Sequence, residues 1–322
     1  MDNGLIVSTM KNLHSQFPSA KIAIVGAGAV GSTVAYAATI KNIAAEILLI
    51  DINDQKEKGE VMDISDGMCF VGTGHVHGAS LKDARDADII VITAGKAQNK
   101  EKPESRLSLA NANKSIIKSI FKQIGMIQSH AIVIIVSNPV DVLTYVAQEV
   151  CMLPQSQVFG TGTALDTARL RSNISGRLNV NAKDVHGFVL GEHGDSSFIA
   201  WSSVSVAGIP ISKVKDFTPS KLKKTEQEVR SAAYEIISKK GATFYGIGLT
   251  IANILEAIVH DQKIVSPVST RIDRWNGISN VCVGVPAVIG KKGIERIWPL
   301  VLNTKEKRAL KKSANIIKKY ID

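Results

Sequence analysis

Residues 21–51 read KIAIVGAGAVGSTVAYAATIKNIAAEILLID. An apolar run, Lys21–Gly26, ends in glycine. A small-residue helical pattern follows over Val30–Lys41, and a second apolar run, Glu46–Asp51, closes on an acid. Apolar runs without alternation suit strands buried on both faces of a parallel sheet. Gly26, Gly28 and Gly31 form a GxGxxG between the first run and the helix, and Asp51 stands 20 residues beyond Gly31. This is the spacing of a dinucleotide-binding strand–turn–helix–strand unit. Gly26 permits a tight turn, Gly28 admits a pyrophosphate against the backbone, and Gly31 lets helix and strand pack closely. The helix N-terminus then offers free N–H groups to phosphate. Asp51 can accept hydrogen bonds from a ribose 2′-hydroxyl and would repel a 2′-phosphate, so NAD is the expected cofactor.

The pattern repeats downstream. Asp88–Thr93 (DIIVIT) runs into Ala94-Gly95, and Ala131–Ser137 (AIVIIVS) runs into Asn138-Pro139. Strands alternating with helices give a right-handed, doubly wound α/β sheet of Rossmann type. Its ligands lie outside the carboxyl ends of the strands, so Thr93, Gly95, Ser137 and Asn138 should line one crevice.

The second half has another texture. Val185–Leu190 and Phe198–Ile211 suggest strands with polar alternation, and Val265–Thr270 and Asn280–Ile289 further strands. Glu226–Lys240, Ala242–His260 and Thr304–Tyr320 suggest helices. The expected organisation is a short arm over 1–20, a cofactor domain over 21–160 and an α+β substrate domain over 161–322.

Composition narrows the function classes. The chain has 322 residues, 45% of them apolar, enough for two cores. Its apolar runs, such as Ala131–Val136, fall far short of the roughly 20 residues a bilayer span needs. The first 20 residues hold no long apolar stretch and no Arg, against a secretory or transit segment. Cys69, Cys151 and Cys282 are widely spaced and form no CxxC, so neither a disulfide frame nor a metal site is expected. A reducing cytoplasm fits. The net charge of +10 is uneven: residues 1–160 carry 14 Lys and Arg against 15 Asp and Glu, residues 161–322 carry 25 against 14. The lysines scatter along helix faces without interleaved aromatics. They suggest solvated surface rather than a nucleic-acid partner.

Leu190-Gly-Glu-His193-Gly-Asp195 sets a histidine between glycines just after a strand signal, and Asp166 and Arg169 lie one helical turn apart upstream. An Asp beside a His fixes its tautomer and favours the imidazolium. Such a pair can exchange a proton with a substrate oxygen, and a neighbouring Arg offers a fork for a carboxylate.

Taken in order, GAGAVG, ITAG, SRL, SNPVD, GTGTxLDTAR and LGEHGD resemble the lactate/malate dehydrogenase family over about Lys21 to Lys319. HGFVLGEHGDSS and AYEIISKKGATFYGIG are closer to its lactate than to its malate branch. The resemblance implies a glycolysis-linked L-2-hydroxy-acid dehydrogenase acting on a small 2-oxo or 2-hydroxy acid. His193 would be the proton donor and acceptor, oriented by Asp166. Arg169 would bind the substrate carboxylate and Arg106 would polarise its carbonyl. Asn138 would bond the same oxygen, Thr243 would line the pocket, and Val30 and Lys56 would join the cofactor set. The leading segment matches the arm of tetrameric members. Arg171 and His186 match positions that bind fructose 1,6-bisphosphate in allosteric relatives.

Lys96–Ser105 (KAQNKEKPES) is polar and expected to be a lid that carries Arg106 over substrate. Counted forward from Gly95, Gln98 takes the place of the residue that faces the substrate's far end. Counted back from Arg106, Lys100 does, because the segment is two residues longer than in the family. A neutral Gln98 suits pyruvate, a Lys suits oxaloacetate, and a longer lid suits a bulkier 2-oxo acid. A non-catalytic NAD-binding protein on the same fold is the contrasting reading.

Overall fold

The computed structural model describes residues 20–72, 74–96 and 106–321, with the backbone alone at 106 and 107. The expectations for the arm (residues 1–19), Gln98, Lys100 and the Arg106 side chain lie outside the described residues.

Six strands pair in parallel: β1 (Lys21–Val25), β2 (Glu46–Ile50), β3 (His75–Gly78), β4 (Ile89–Ile92), β5 (Ile132–Ile135) and β6 (Val158–Gly160), in the order β3-β2-β1-β4-β5-β6. The reversal at β1 and β4 opens the crevice that a doubly wound sheet offers a ligand. Successive strand residues point to opposite faces. Ile22, Ile24, Ile47, Leu49, Val91 and Ile134 enter one core, while Ala23, Val25, Leu48, Ile50, Ile90, Ile92 and Ile135 enter the other. This is why the runs show no polar alternation.

Helices α1 (Ala29–Ile40), α2 (Asp54–Asp66), α3 (Arg106–Ile124), α4 (Val140–Val150) and α5 (Ala164–Leu178) alternate with these strands. The polar helix α2 and the short strand β3 carry little apolar periodicity: Ile64 alone is buried in α2, and Val76 in β3.

The long strands of the second half join the same sheet, while its short ones form two small sheets, of three strands and of two. After β7 (Val185–His186), β8 (Val189–Leu190), β9 (Phe198–Ile199), β10 (Ser205–Val206) and β11 (Ile209–Pro210), strand β12 (Ile264–Ile272) pairs antiparallel with β6, Ser269 opposite Gly160. β13 (Val281–Gly290) and β14 (Gly293–Ile297) extend the sheet to nine strands. The result is a mixed sheet, parallel in the cofactor half and antiparallel beyond it. Helices α6 (Pro219–Lys240), α7 (Tyr245–Val259) and α8 (Thr304–Ile321) complete the chain.

Two expected strands are broken. Val185–Leu190 splits at Gly187, whose φ of +148° turns the chain. Phe198–Ile211 is interrupted by a 3₁₀ turn at Trp201–Ser203 and by a tight hairpin at Ala207 (φ 46°) and Gly208 (φ 82°). α6 starts earlier than expected, with Pro219 in its first turn, where a missing N–H costs nothing.

Candidate active site

The glycine turn is held from two sides. Thr93 Oγ1 donates to Gly26 O at 2.9 Å and Val25 O at 3.1 Å. Asp51 Oδ2 accepts from Ala27 N at 2.7 Å, and its Oδ1 accepts from Asn53 N at 2.9 Å. Asn53 in turn caps α2 by accepting from Lys56 N. Gly26 has φ +110°, and a Cβ on Gly31 would sit 1.8 Å from Gly26 O. A Cβ on Gly28 would meet nothing within 4 Å. Gly28 thus borders open space in front of the α1 N-terminus, as a pyrophosphate cradle requires. Val30 tucks its side chain against the core in the first turn of α1. On the other rim, Ser137 Oγ donates to Ala94 O at 2.6 Å, joining the ends of β4 and β5 beside Gly95.

Beyond Ser137, a cavity of about 310 Å³ opens between the end of the parallel strands and α5, α6 and α8. Asn138, Asp166, Arg169 and His193 line it. His193 Nδ1 lies 2.7 Å from Asp166 Oδ2. A carboxylate only accepts, so Nδ1 carries the proton and Nε2 is left to face a ligand. Asp166 Oδ1 accepts from Arg169 Nη1 at 3.0 Å, one turn further along α5. No other hydrogen bond engages Arg169 among the described residues, and a guanidinium has four more donors.

The comparisons with known proteins agree over nearly all of the chain from residue 20 onward. Residues 20–160 match the lactate/malate dehydrogenase NAD binding domain, and residues 163–322 match the lactate/malate dehydrogenase alpha/beta C-terminal domain. The chain belongs to the lactate/malate dehydrogenase family.

Among its relatives are L-lactate dehydrogenases of Kosmotoga olearia (43% identical over 311 residues, covering 94% of this chain and 95% of that one) and Clostridium botulinum (40% over 307 residues, 94% and 96%). Similar solved structures include a lactate dehydrogenase from a Medee basin deep-sea metagenome library (TM-score 0.91, 39% identity, 95% of this chain and 99% of that chain). A second is the minor L-lactate dehydrogenase of Enterococcus mundtii in its ligands-bound form (TM-score 0.91, 37%, 95% and 98%).

In this dehydrogenase, burial alone would lower the His193 pKa. The charge and hydrogen bond of Asp166 and the charge of Asp141 outweigh burial and the opposing Arg169, so the imidazole lies above its ordinary value. Burial would likewise raise Asp166, but His193 and Arg169 hold it below the usual carboxylate range. Thr243 stands half-buried between α6 and α7 and is not part of the cavity wall. Arg171, on α5, and His186, on β7, lie on packed neighbouring elements, away from the cavity. No group of three or more His, Cys, Asp or Glu among the described residues is placed to hold a metal. No described helix is long and apolar enough to cross a membrane.

Two site residues were given no role by the sequence: Asn113 lies in none of its motifs, and Asp141 is only the last residue of SNPVD. Asn113, 2% exposed on α3, accepts from Lys96 N at 2.7 Å and donates to Lys96 O and to Asn138 O. It ties the chain after Gly95 to Asn138. Asp141, 3% exposed, accepts from His193 N at 2.9 Å through Oδ2 and from Ser269 Oγ at 2.6 Å through Oδ1.

Proposed function

We propose that the chain is an NAD-dependent L-lactate dehydrogenase, reducing pyruvate reversibly to L-lactate. The observation that carries this reading is the His193–Asp166–Arg169 array in a cavity adjoining the glycine-turn crevice. Gly28, the α1 N-terminus and Asp51 suit a dinucleotide with a free ribose 2′-hydroxyl, and Lys56, Thr93, Gly95 and Ser137 extend that crevice. When bound, NADH supplies the hydride. Arg169 fixes the substrate carboxylate. His193 Nε2 gives its proton to the carbonyl oxygen as charge develops there, and Asp166 stabilises the imidazolium that precedes the transfer. Asn138 donates to the same oxygen, and Arg106 polarises it when the lid is down. Thr243 is proposed to line the pocket.

A neutral Gln98 at the substrate's far end would leave a second carboxylate buried without a partner, which disfavours oxaloacetate. The test is NADH oxidation with pyruvate, oxaloacetate, phenylpyruvate and 2-oxoisocaproate. Pyruvate should give the highest kcat/KM. A clear preference for oxaloacetate turns the reading to malate, and one for the larger acids to a bulkier substrate.

The enzyme is proposed to act in the cytoplasm as a homotetramer. Tyr36 and Ile40 on α1 and Tyr245 and Leu249 on α7 are large, exposed and apolar on two helices that pack together, which supports association. An anionic effector such as fructose 1,6-bisphosphate is proposed at Arg171 and His186. Arg171 Nε is buried without a hydrogen-bond partner among the described residues, which favours an incoming acceptor. Titration of pyruvate kinetics with the bisphosphate tests this, and unchanged KM and kcat would remove the effector.

A further inference from the structure

Asp141 is buried in the active-site wall, yet it has no part in the proton relay just described. It sits in the first turn of α4, three residues after Asn138, which precedes the helix; this corner sets Asn138 in the cavity wall and Asp141 against the histidine loop. Its two oxygens accept from the main-chain N–H of His193 and the hydroxyl of Ser269 on β12. It therefore clamps the catalytic loop to the sheet at the point where the two halves of the chain join. A neutral amide could serve that geometry: its oxygen would accept from His193 N, and the Ser269 hydroxyl could rotate to accept from its NH₂. Burying a full negative charge is costly even with hydrogen bonds, so a carboxylate where an amide would fit points to a use for the charge. The α4 N-terminus offsets part of that cost.

We propose that Asp141 is a positioning residue for His193, its carboxylate pinning the His193 main chain while its negative charge favours the imidazolium that donates the proton. This rests on the reading of His193 as the proton donor. The charged or titratable groups around Asp141 are His193 and Glu192 on the loop after β8, Cys282 on β13, and Asp166 and Arg169 on α5. α8 contributes Tyr320 to the same cavity. Of these, Arg169 is paired with Asp166, and His193 is the cation that Asp141 gains on protonation.

The test is the pH profile of kcat/KM for pyruvate reduction and for lactate oxidation in the wild type, Asp141→Asn and Ser269→Ala, with His193→Asn as control. Reduction needs protonated His193 and oxidation needs it neutral. Loss of the negative charge should therefore move both limbs to lower pH together, by about one unit in Asp141→Asn. Ser269→Ala weakens the carboxylate's hold on its charge and should move both limbs the same way by less. NADH affinity should stay near wild type in both variants. A residue that served only the fold would lower rates at every pH and leave the limbs in place, and that result overturns the proposal. Should Asp141→Asn fail to fold, unmoved limbs in Ser269→Ala overturn it as well. A His193→Asn enzyme with near wild-type turnover instead refutes the proton-donor reading, whatever Asp141 does.

Discussion

Replacing Gly28 and Gly31 in turn by alanine separates what the glycine turn does for a ligand from what it does for the fold. Gly28 has φ −76° and ψ 177°, which alanine adopts freely, and its Cβ would meet nothing within 4 Å. Reduced chain entropy in the unfolded state favours Gly28→Ala by about 0.4–1 kcal/mol. Gly28 is also the N-cap of α1, where alanine is a poor residue, at a cost of similar size. The two nearly cancel, so the melting temperature should stay close to wild type.

The same methyl group would stand where a pyrophosphate meets the backbone. Losing one charge-assisted hydrogen bond is worth about 1.5–3 kcal/mol. NADH should therefore bind about ten- to a hundredfold more weakly. In Gly31→Ala the Cβ would lie 1.8 Å from Gly26 O and 2.9 Å from Thr93 Oγ1. The first is backbone locked between β1 and α1, so relief requires the strand and helix to part. The cost should reach or exceed the upper end of the roughly 1–3 kcal/mol of ordinary overpacking. Thermal melting and titration of NADH fluorescence read both quantities. Wild-type NADH affinity in Gly28→Ala would refute the placement of the dinucleotide, and wild-type melting of Gly31→Ala would refute the packing argument.

Four further outcomes are expected. His193→Asn should lose about 10²–10⁴-fold or more in kcat with NADH affinity kept, and steady-state kinetics check it. Asp51→Ser should narrow the preference for NADH over NADPH and also weaken NADH itself, because Ala27 N loses its acceptor; Kd values for both cofactors decide. Asp141 is pushed up from 3.8 to about 6, first by burial, against the hydrogen bonds of Ser269 and His193 N and the charge of His193. Folding thus favours its protonated form, a stabilisation complete below about pH 4 and lost as pH rises through 6. At 1.36 kcal/mol per unit this is on the order of 3 kcal/mol, so Asp141→Asn should be the more stable protein at pH 7–8, with the gap closing in acid by denaturant unfolding. Gln98→Arg should shift kcat/KM from pyruvate toward oxaloacetate, whereas Lys100→Ala should change it little; the reverse pattern would move the substrate contact to Lys100.

The parallel half of the sheet is visible in the sequence because its cause is local. β1, β2, β4 and β5 are buried on both faces, so each is a continuous apolar run, and the turns after β1, β4 and β5 carry a glycine or Asn-Pro. α2, β3 and β14 escape such a reading because they lie at the sheet's margins, where few side chains are buried. Phe198–Ile211 misleads for the opposite reason: its apolar residues belong to separate short pairings, and the Ala207-Gly208 turn bends the chain between them.

By itself, then, the sequence determines the dinucleotide turn, the acid at the end of β2 and the pairing of Asp166 with Arg169, since an Asp and an Arg one turn apart on α5 share a face by helical geometry alone; that His193 meets Asp166 is a tertiary contact across 27 residues. Only the tertiary structure decides that β12 closes onto β6 and makes one sheet of both halves. The same closure brings Ser269 to Asp141 across 128 residues and His193 N to Asp141 across 52. Contacts between distant segments have no period and no spacing, because each depends on how whole elements dock. An Asp in a helix's first turn is ordinarily a partner for the helix dipole. It becomes the acceptor for His193 N only when the second half of the chain folds over it.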